Sequence, residues 1–216
     1  MAISKVQNAV YIVEADASVT ASFPSTPAEG NLMIALGGGN TDGSTNASIS
    51  GWTNAVYTKI GTTANTLGLW YKVAGAAESK DVTLNWTDSV STYLIIEEWT
   101  GLSATPLDKI ANVDNTGAVE SQSSGTTDTT TVADELCLAG FGMGSTISDE
   151  SWSNSFVLEK RDSSTPKFLL GSRIVFSTGT YETTLSWTTA RACGSLIATF
   201  KGVVVSTWTP KVIMVM

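Results

Sequence analysis

The chain has 216 residues, 42% of them hydrophobic and only 15% charged, a balance too apolar for a disordered segment. It contains no histidine, which excludes Ser-His-Asp and Cys-His catalysis, an imidazole general base and His-containing zinc sites. Twelve basic against 20 acidic residues give a net charge of −8, and no basic run tracks a phosphate backbone, so no nucleic-acid partner is expected.

The acidic excess is uneven: residues 1–132 carry 13 acidic and 5 basic side chains, residues 133–216 seven of each. Serine and threonine together number 57, and threonine with valine and the aromatics favours pleated sheet. Residues 1–18 are read as an N-terminal arm. Met1 to Val10 lacks the basic start and apolar run of an export signal, so Asn46-Ala47-Ser48 and Asn85-Trp86-Thr87 are read as accidental matches to the glycosylation pattern. Strands are predicted at Val10–Val13 and Val19–Phe23. Leu32 to Leu36 is a nearly continuous apolar run, suited to a strand buried on both faces. The glycine-rich stretch that follows, Gly37 to Gly43, has neither the lysine of a phosphate loop nor enough carboxylates for calcium; it reads as a turn, and no cofactor or metal is expected. Ala55–Ile60 and Leu67–Val73 read as the next strands. Val82, Leu84 and Trp86 then alternate with Thr83 and Asn85 in the period-two pattern of a half-buried strand. Tyr93 to Trp99 is another strand, ended by Gly101. Its Glu97 and Glu98 are adjacent, so they point to opposite faces and cannot flank one bond as a glycosidase pair does. Glu97 shares a face with Ile95 and Trp99, where it needs a partner.

From there the chain repeats itself. Ala28-Glu29-Gly30-Asn31-Leu32 is echoed from Ala133, Gly51-Trp52-Thr53-Asn54 by Ser151-Trp152-Ser153-Asn154, Val82 to Thr87 by Thr183 to Thr188, and Ile95 to Gly101 by Leu196 to Gly202. These offsets lie between 100 and 105 residues, longer than solenoid repeats, and indicate a duplicated half. The body, residues 19–202, divides into copy one at about 28–102, a connector at 103–132 and copy two at about 133–202. The connector is rich in Ser, Thr, Gly and Asp, yet Leu107, Ile110 and Val113 alternate as in a further strand. No window holds a helical stripe. The expected fold is all-β, an antiparallel, jelly-roll-like sandwich of about ten to twelve strands built from two similar halves. Two tandem sandwiches of about 100 residues are the alternative arrangement. Cys137 and Cys193 are expected as buried thiols.

Aromatic residues that recur in both copies answer a shared packing need: Trp52 with Trp152, Trp86 with Trp187, Trp99 with Phe200. Trp70, Tyr71 and Trp208 have no counterpart, which makes them the candidates for partner or ligand contact. Residues 203–216 run past the second copy and end in the apolar Val212-Ile213-Met214-Val215-Met216, far too short to span a bilayer. An apolar strand of this kind must return to its own sheet or add to a neighbour's, so Val212, Ile213 and Met214 join the candidate contacts. No carboxylate pair offers a catalytic base, and no enzyme activity is expected.

The segments "GNLMIALGGG", "GWT", "DVTLNW" and "YLIIEEWTGL" followed by "PLDK" resemble jelly-roll structural proteins of tailed bacteriophages over roughly residues 19–202. That resemblance implies an accessory virion protein: a capsid decoration, head fibre or tail component, made in the host cytoplasm and assembled into the virion. It implies other virion proteins and copies of this chain as partners, or a host-surface glycan if the module is an adhesin. It transfers no binding residue.

Overall fold

The structure, a computed structural model, describes residues 2–40, 47–61, 65–115, 117–161 and 167–204. Among them every regular element is a strand and all strand pairs within the sheets are antiparallel. The expected N-terminal arm, residues 1–18, instead forms most of β1 (Ser4–Ser22), which extends copy one and pairs along β6 (Asp81–Thr100); between them in the chain stand β2 (Leu32–Asn40), β3 (Ser48–Ile49), β4 (Thr53–Ile60) and β5 (Asn65–Val73). The connector supplies β7 (Leu102–Asp114) and β8 (Val119–Ser123), which extend copy two; its other strands are β9 (Asp134–Met143), β10 (Ser151–Trp152), β11 (Val157–Arg161), β12 (Phe168–Phe176), β13 (Thr184–Arg191) and β14 (Cys193–Gly202). The count among described residues is fourteen. It exceeds the expected range because β3 and β10 are only two residues long and because the segment at 103–132 contributes to β7 and β8.

Each copy has two layers. In copy one, β1-β6-β2-β5-β4 form a continuous ladder with β3 attached to β6. The long strands β1 and β6 fold over that ladder: Val19 and Ala21 of β1 and Val82, Leu84 and Trp86 of β6 share a core with Met33, Ala35, Trp70, Leu94 and Ile96. In copy two each long strand is broken in two. The path of β1 along β6 is taken by β7 along β14 and β8 along β13, giving the separate sheets β11-β12-β9-β14-β7 and β10-β13-β8. Copy two has its own inner core, which includes Cys137, Ala139, Phe141, Leu185, Trp187 and Ile197.

A third core joins the copies. Because successive residues on a strand face opposite ways, β2 sends Met33 and Ala35 inward and Leu32, Ile34 and Leu36 outward, where they meet Leu136, Leu138, Phe168, Leu170, Leu196 and Phe200. The apolar runs of β2 and β9 are therefore buried on both faces, and the molecule stacks four β-layers. Cys137 and Cys193 are buried free thiols, and burial pushes Cys137 up to about 12.

Two details of the repeat differ from the sequence reading. Leu32 lies opposite Trp99 and Leu136 opposite Phe200, so the structural offset there is one residue shorter than the Ala28–Ala133 echo. A one-residue slip would have exchanged the two faces of the strand. Trp152 lies opposite Leu185 as Ile49 lies opposite Leu84, whereas Trp52 follows the turn closed by its N–H onto the Ile49 carbonyl at 3.1 Å. Both indoles pack on their own copy's inner core, but from different ladder positions.

Trp70, expected as a contact residue, is 2% exposed in the inner core of copy one. Its lack of a counterpart has a packing cause. Trp70 pairs with Ala35, and the equivalent partner of Ala139 is Gly171. A Cβ on Gly171 would lie 2.5 Å from Cζ3 of Trp152, and one on Gly37 would lie 3.0 Å from Cζ3 of Trp70. The same interior volume is filled from β5 in one copy and from β10 in the other, with glycine opposite the indole each time. Edge-to-face contacts hold both rings, Tyr57 on Trp70 and Phe141 on Trp152, each at 5.2 Å.

Trp70→Ala should destabilise the chain by about 3–5 kcal/mol in urea unfolding, because the glycines opposite cannot fill the cavity. Phe176→Ala, at a site 76% exposed, should change stability by less than about 0.5 kcal/mol.

Candidate functional site

The copies stack with their strand orders reversed, so β4 lies beside β7 on one flank and β1 beside β11 on the other. The duplication alone would make these flanks alike, but they differ.

The β4–β7 flank is closed. Ile60 bridges to Asn115, the Thr58 hydroxyl donates to the Asp114 carboxylate with its oxygen 3.1 Å from the Val113 carbonyl, and the Lys59 N–H reaches Asp114 Oδ1 at 2.9 Å. The backbones approach so closely that a Cβ on Gly194 would lie 2.1 Å from the Lys59 carbonyl oxygen. The β1–β11 flank is open. It holds a cleft of about 620 Å³ lined by Ile3, Lys5, Trp99, Val157, Glu159 and Ser172 among others.

Charge sits on the open flank where the closed one has alanine. Glu97 on β6 corresponds to Ala198 on β14, since Trp99 matches Phe200. Glu159 occupies the bulge of β11 as Ala55 occupies the bulge of β4. The Lys5 ammonium bonds Glu159 Oε2 across the copies and lies 3.9 Å from Glu97 Oε1. Ser172 donates to the other Glu159 oxygen. Glu97 is fully buried; its Oε2 accepts the Trp99 indole N–H at 2.9 Å, and its Oε1 has no hydrogen-bond partner. Phe200 and Ala198 can neither donate nor accept, so the two side chains differ together between copies. Burial, reinforced by the Glu159 charge and opposed by the Trp99 N–H and Lys5, pushes the Glu97 carboxyl up to about 7.

The neighbouring acid behaves differently because it faces the other way. Glu98 is 1% exposed and accepts from the Gln7 amide, the Ala28 N–H at 2.8 Å and Asn31 Nδ2 at 2.6 Å, which ties the loop before β2 to the sheet. In copy two the corresponding loop is held by Asp108, which accepts the Thr131 N–H at 2.6 Å and hydroxyl at 2.7 Å. Glu135 is buried beside it with neither oxygen in hydrogen-bond geometry; burial foremost, then the nearby Asp108 carboxylate, pushes it up to about 7. Glu98 and Asp108 are structural clasps.

A second, polar hollow of about 370 Å³ adjoins the cleft at Arg173, whose guanidinium lies 5.7 Å from the Tyr181 ring centroid. Tyr71 lies half-buried between the copies, its ring edge-to-face with Phe200 at 5.6 Å. Neither Trp70 nor Tyr71 lines the cleft. Trp208, Val212, Ile213 and Met214 lie outside the described residues. Lys5, Glu159, Val157 and Phe176 were not singled out from sequence. Lys5 and Glu159 are 154 positions apart, and the one available signal was the Glu97–Ala198 mismatch in the repeat. No helix among the described residues is long and apolar enough to cross a membrane.

Glu97 and Glu135 bind protons more tightly when folded than unfolded, so between about pH 4.5 and 7 the native state holds more protons and stability falls as pH rises. Their stabilising share is complete below pH 4.5 and lost through pH 7. Thermal scans from pH 4.5 to 8 should show a declining Tm, and Glu97→Gln with Glu135→Gln should flatten that decline.

The chain matches no family model, no curated protein and no solved structure.

Proposed function

We propose that the chain is an accessory structural protein of a bacteriophage particle, acting through protein–protein contact with other virion proteins and with copies of itself. The motif resemblance supports the particle, and the distribution of exposed apolar side chains supports the mode of action. Apolar residues cover three interior layers, yet the open flank and the neighbouring strand ends leave Val157 57%, Phe176 76% and Val204 73% exposed. Phe176 and Val203 border a small cavity with Ala2, Ile3 and Ile174, and Ile3 and Ile174 also line the cleft that Val157 borders, so these exposed side chains gather around shared apolar residues. Clustered apolar surface of this kind marks an interaction site. That clustering carries the proposal. In this reading the buried aromatics set the shape and the flank supplies the contact, so the protein works as a building piece made in the host cytoplasm and delivered into the particle.

Light scattering on the full chain at micromolar concentration should give a mass above the 22.6 kDa of one copy. A chain ended after Val204 should return to that value. Co-sedimentation of the full chain with assembled particles in a density gradient separates a particle component from a free oligomer, and a full chain that stays monomeric and remains at the top of the gradient would overturn the proposal.

A further inference from the structure

We infer that two copies join through the open flank, with the segment after Val204 of each lying in the cleft between β1 and β11 of the other; this rests on the assembly reading above. The cleft has the features of a strand acceptor. β11 ends its sheet, so among the described residues no strand meets its outer N–H and C=O groups. Val157 and Leu158 are 57% and 37% exposed on that edge, and Ile3 and Ile174 supply apolar walls. Lys5 and Glu159 pair within the cleft, which Arg173 also lines, so an apolar guest would rest on the Ile3, Val157 and Ile174 side.

The donor starts beside the acceptor. The Val203 N–H bonds the Gly101 carbonyl at 3.0 Å, and Val203 borders a cavity that shares Ile3 and Ile174 with the cleft. Beyond it the sequence runs through Pro210 to Val212-Ile213-Met214-Val215-Met216, an apolar run with three β-branched residues that suits a strand added to a free edge. The seven residues from Val205 to Lys211 span at most about 25 Å, enough to carry Val212 to Met216 away from the chain's own strand end. A segment folded back onto its own β11 would leave Phe176 and Val204 in water, whereas an apposed copy covers them. Donor and acceptor lie on one face, so reciprocal exchange closes on a two-fold axis and gives a dimer, not an open chain.

The test uses full-length chains. Wild type should scatter at twice 22.6 kDa. Val157→Lys, on the exposed edge, should scatter as a monomer with an unchanged Tm, while Ile110→Lys, 47% exposed on β7 of the opposite flank, should remain dimeric. Chains carrying Val157→Cys mixed with chains carrying Met214→Cys should form a disulfide between the two, the native thiols being buried. If Val157→Lys stays at the wild-type mass and the mixed disulfide is missing, the cleft is not the joint, although assembly stands. A double variant that closes only within one chain would assign the cleft to the chain's own tail. A monomeric wild type would overturn this inference, and the particle reading falls with it only if the chain also fails to co-sediment with assembled particles.

Discussion

Strand β2 has no polar face. Every residue from Leu32 to Leu36 is apolar and buried, with alternate side chains committed to two different cores, and β9 repeats the condition with Leu136 and Leu138 on one side and Cys137 and Ala139 on the other. A strand of this kind is stable only when both faces are covered, since each fully buried Leu or Ile contributes about 1.5–3 kcal/mol relative to exposure. Neither copy can meet that demand alone: its own folded-over layer covers one face, and the second face needs the other copy. The four-layer stack follows from this constraint, and the copies are two halves of one body.

Around that shared layer the duplicated halves have diverged in a compensated way. Trp70 faces Gly37 in one copy; Trp152 faces Gly171 in the other. The carboxylate that holds the loop before the central strand stands on β6 as Glu98 in copy one, while Asp108 on β7 does comparable work in copy two. Interiors are close-packed, so volume and hydrogen-bond capacity must be conserved locally, but which strand supplies them is free to change. Large-for-small exchanges and relocated acids are what remain when two equal halves drift under that rule.

The flanks show the limit of the symmetry. On one, Asp114 and the glycine at 194 let the sheet margins lock together. On the other, Lys5, Glu97 and Glu159 replace that fit with a charged, hollow margin. Trp99 and Glu97 form a donor–acceptor pair that Phe200 and Ala198 cannot form. Buried charge is costly unless paired, and its concentration at one of two otherwise equivalent places distinguishes the open flank from the closed one.

Local pattern determined a good deal. Period-two alternation at Val82–Trp86, the doubly apolar run at Leu32–Leu36 and the recurrence near 100 residues identify an all-β chain made of two similar halves, and adjacency alone sends Glu97 and Glu98 to opposite faces. These features depend on neighbours a few positions apart. Tertiary structure decided the rest. An unmatched tryptophan looks the same in sequence whether it faces solvent or a glycine on the next strand, so the burial of Trp70 became visible only with Gly37 in place. The partnership of Lys5 with Glu159 joins residues 154 positions apart on the edges of different sheets, and no spacing rule reaches across such a stack. Which flank closed and which stayed open depended on how two whole sheets met, a property of the packed layers that no single strand carries.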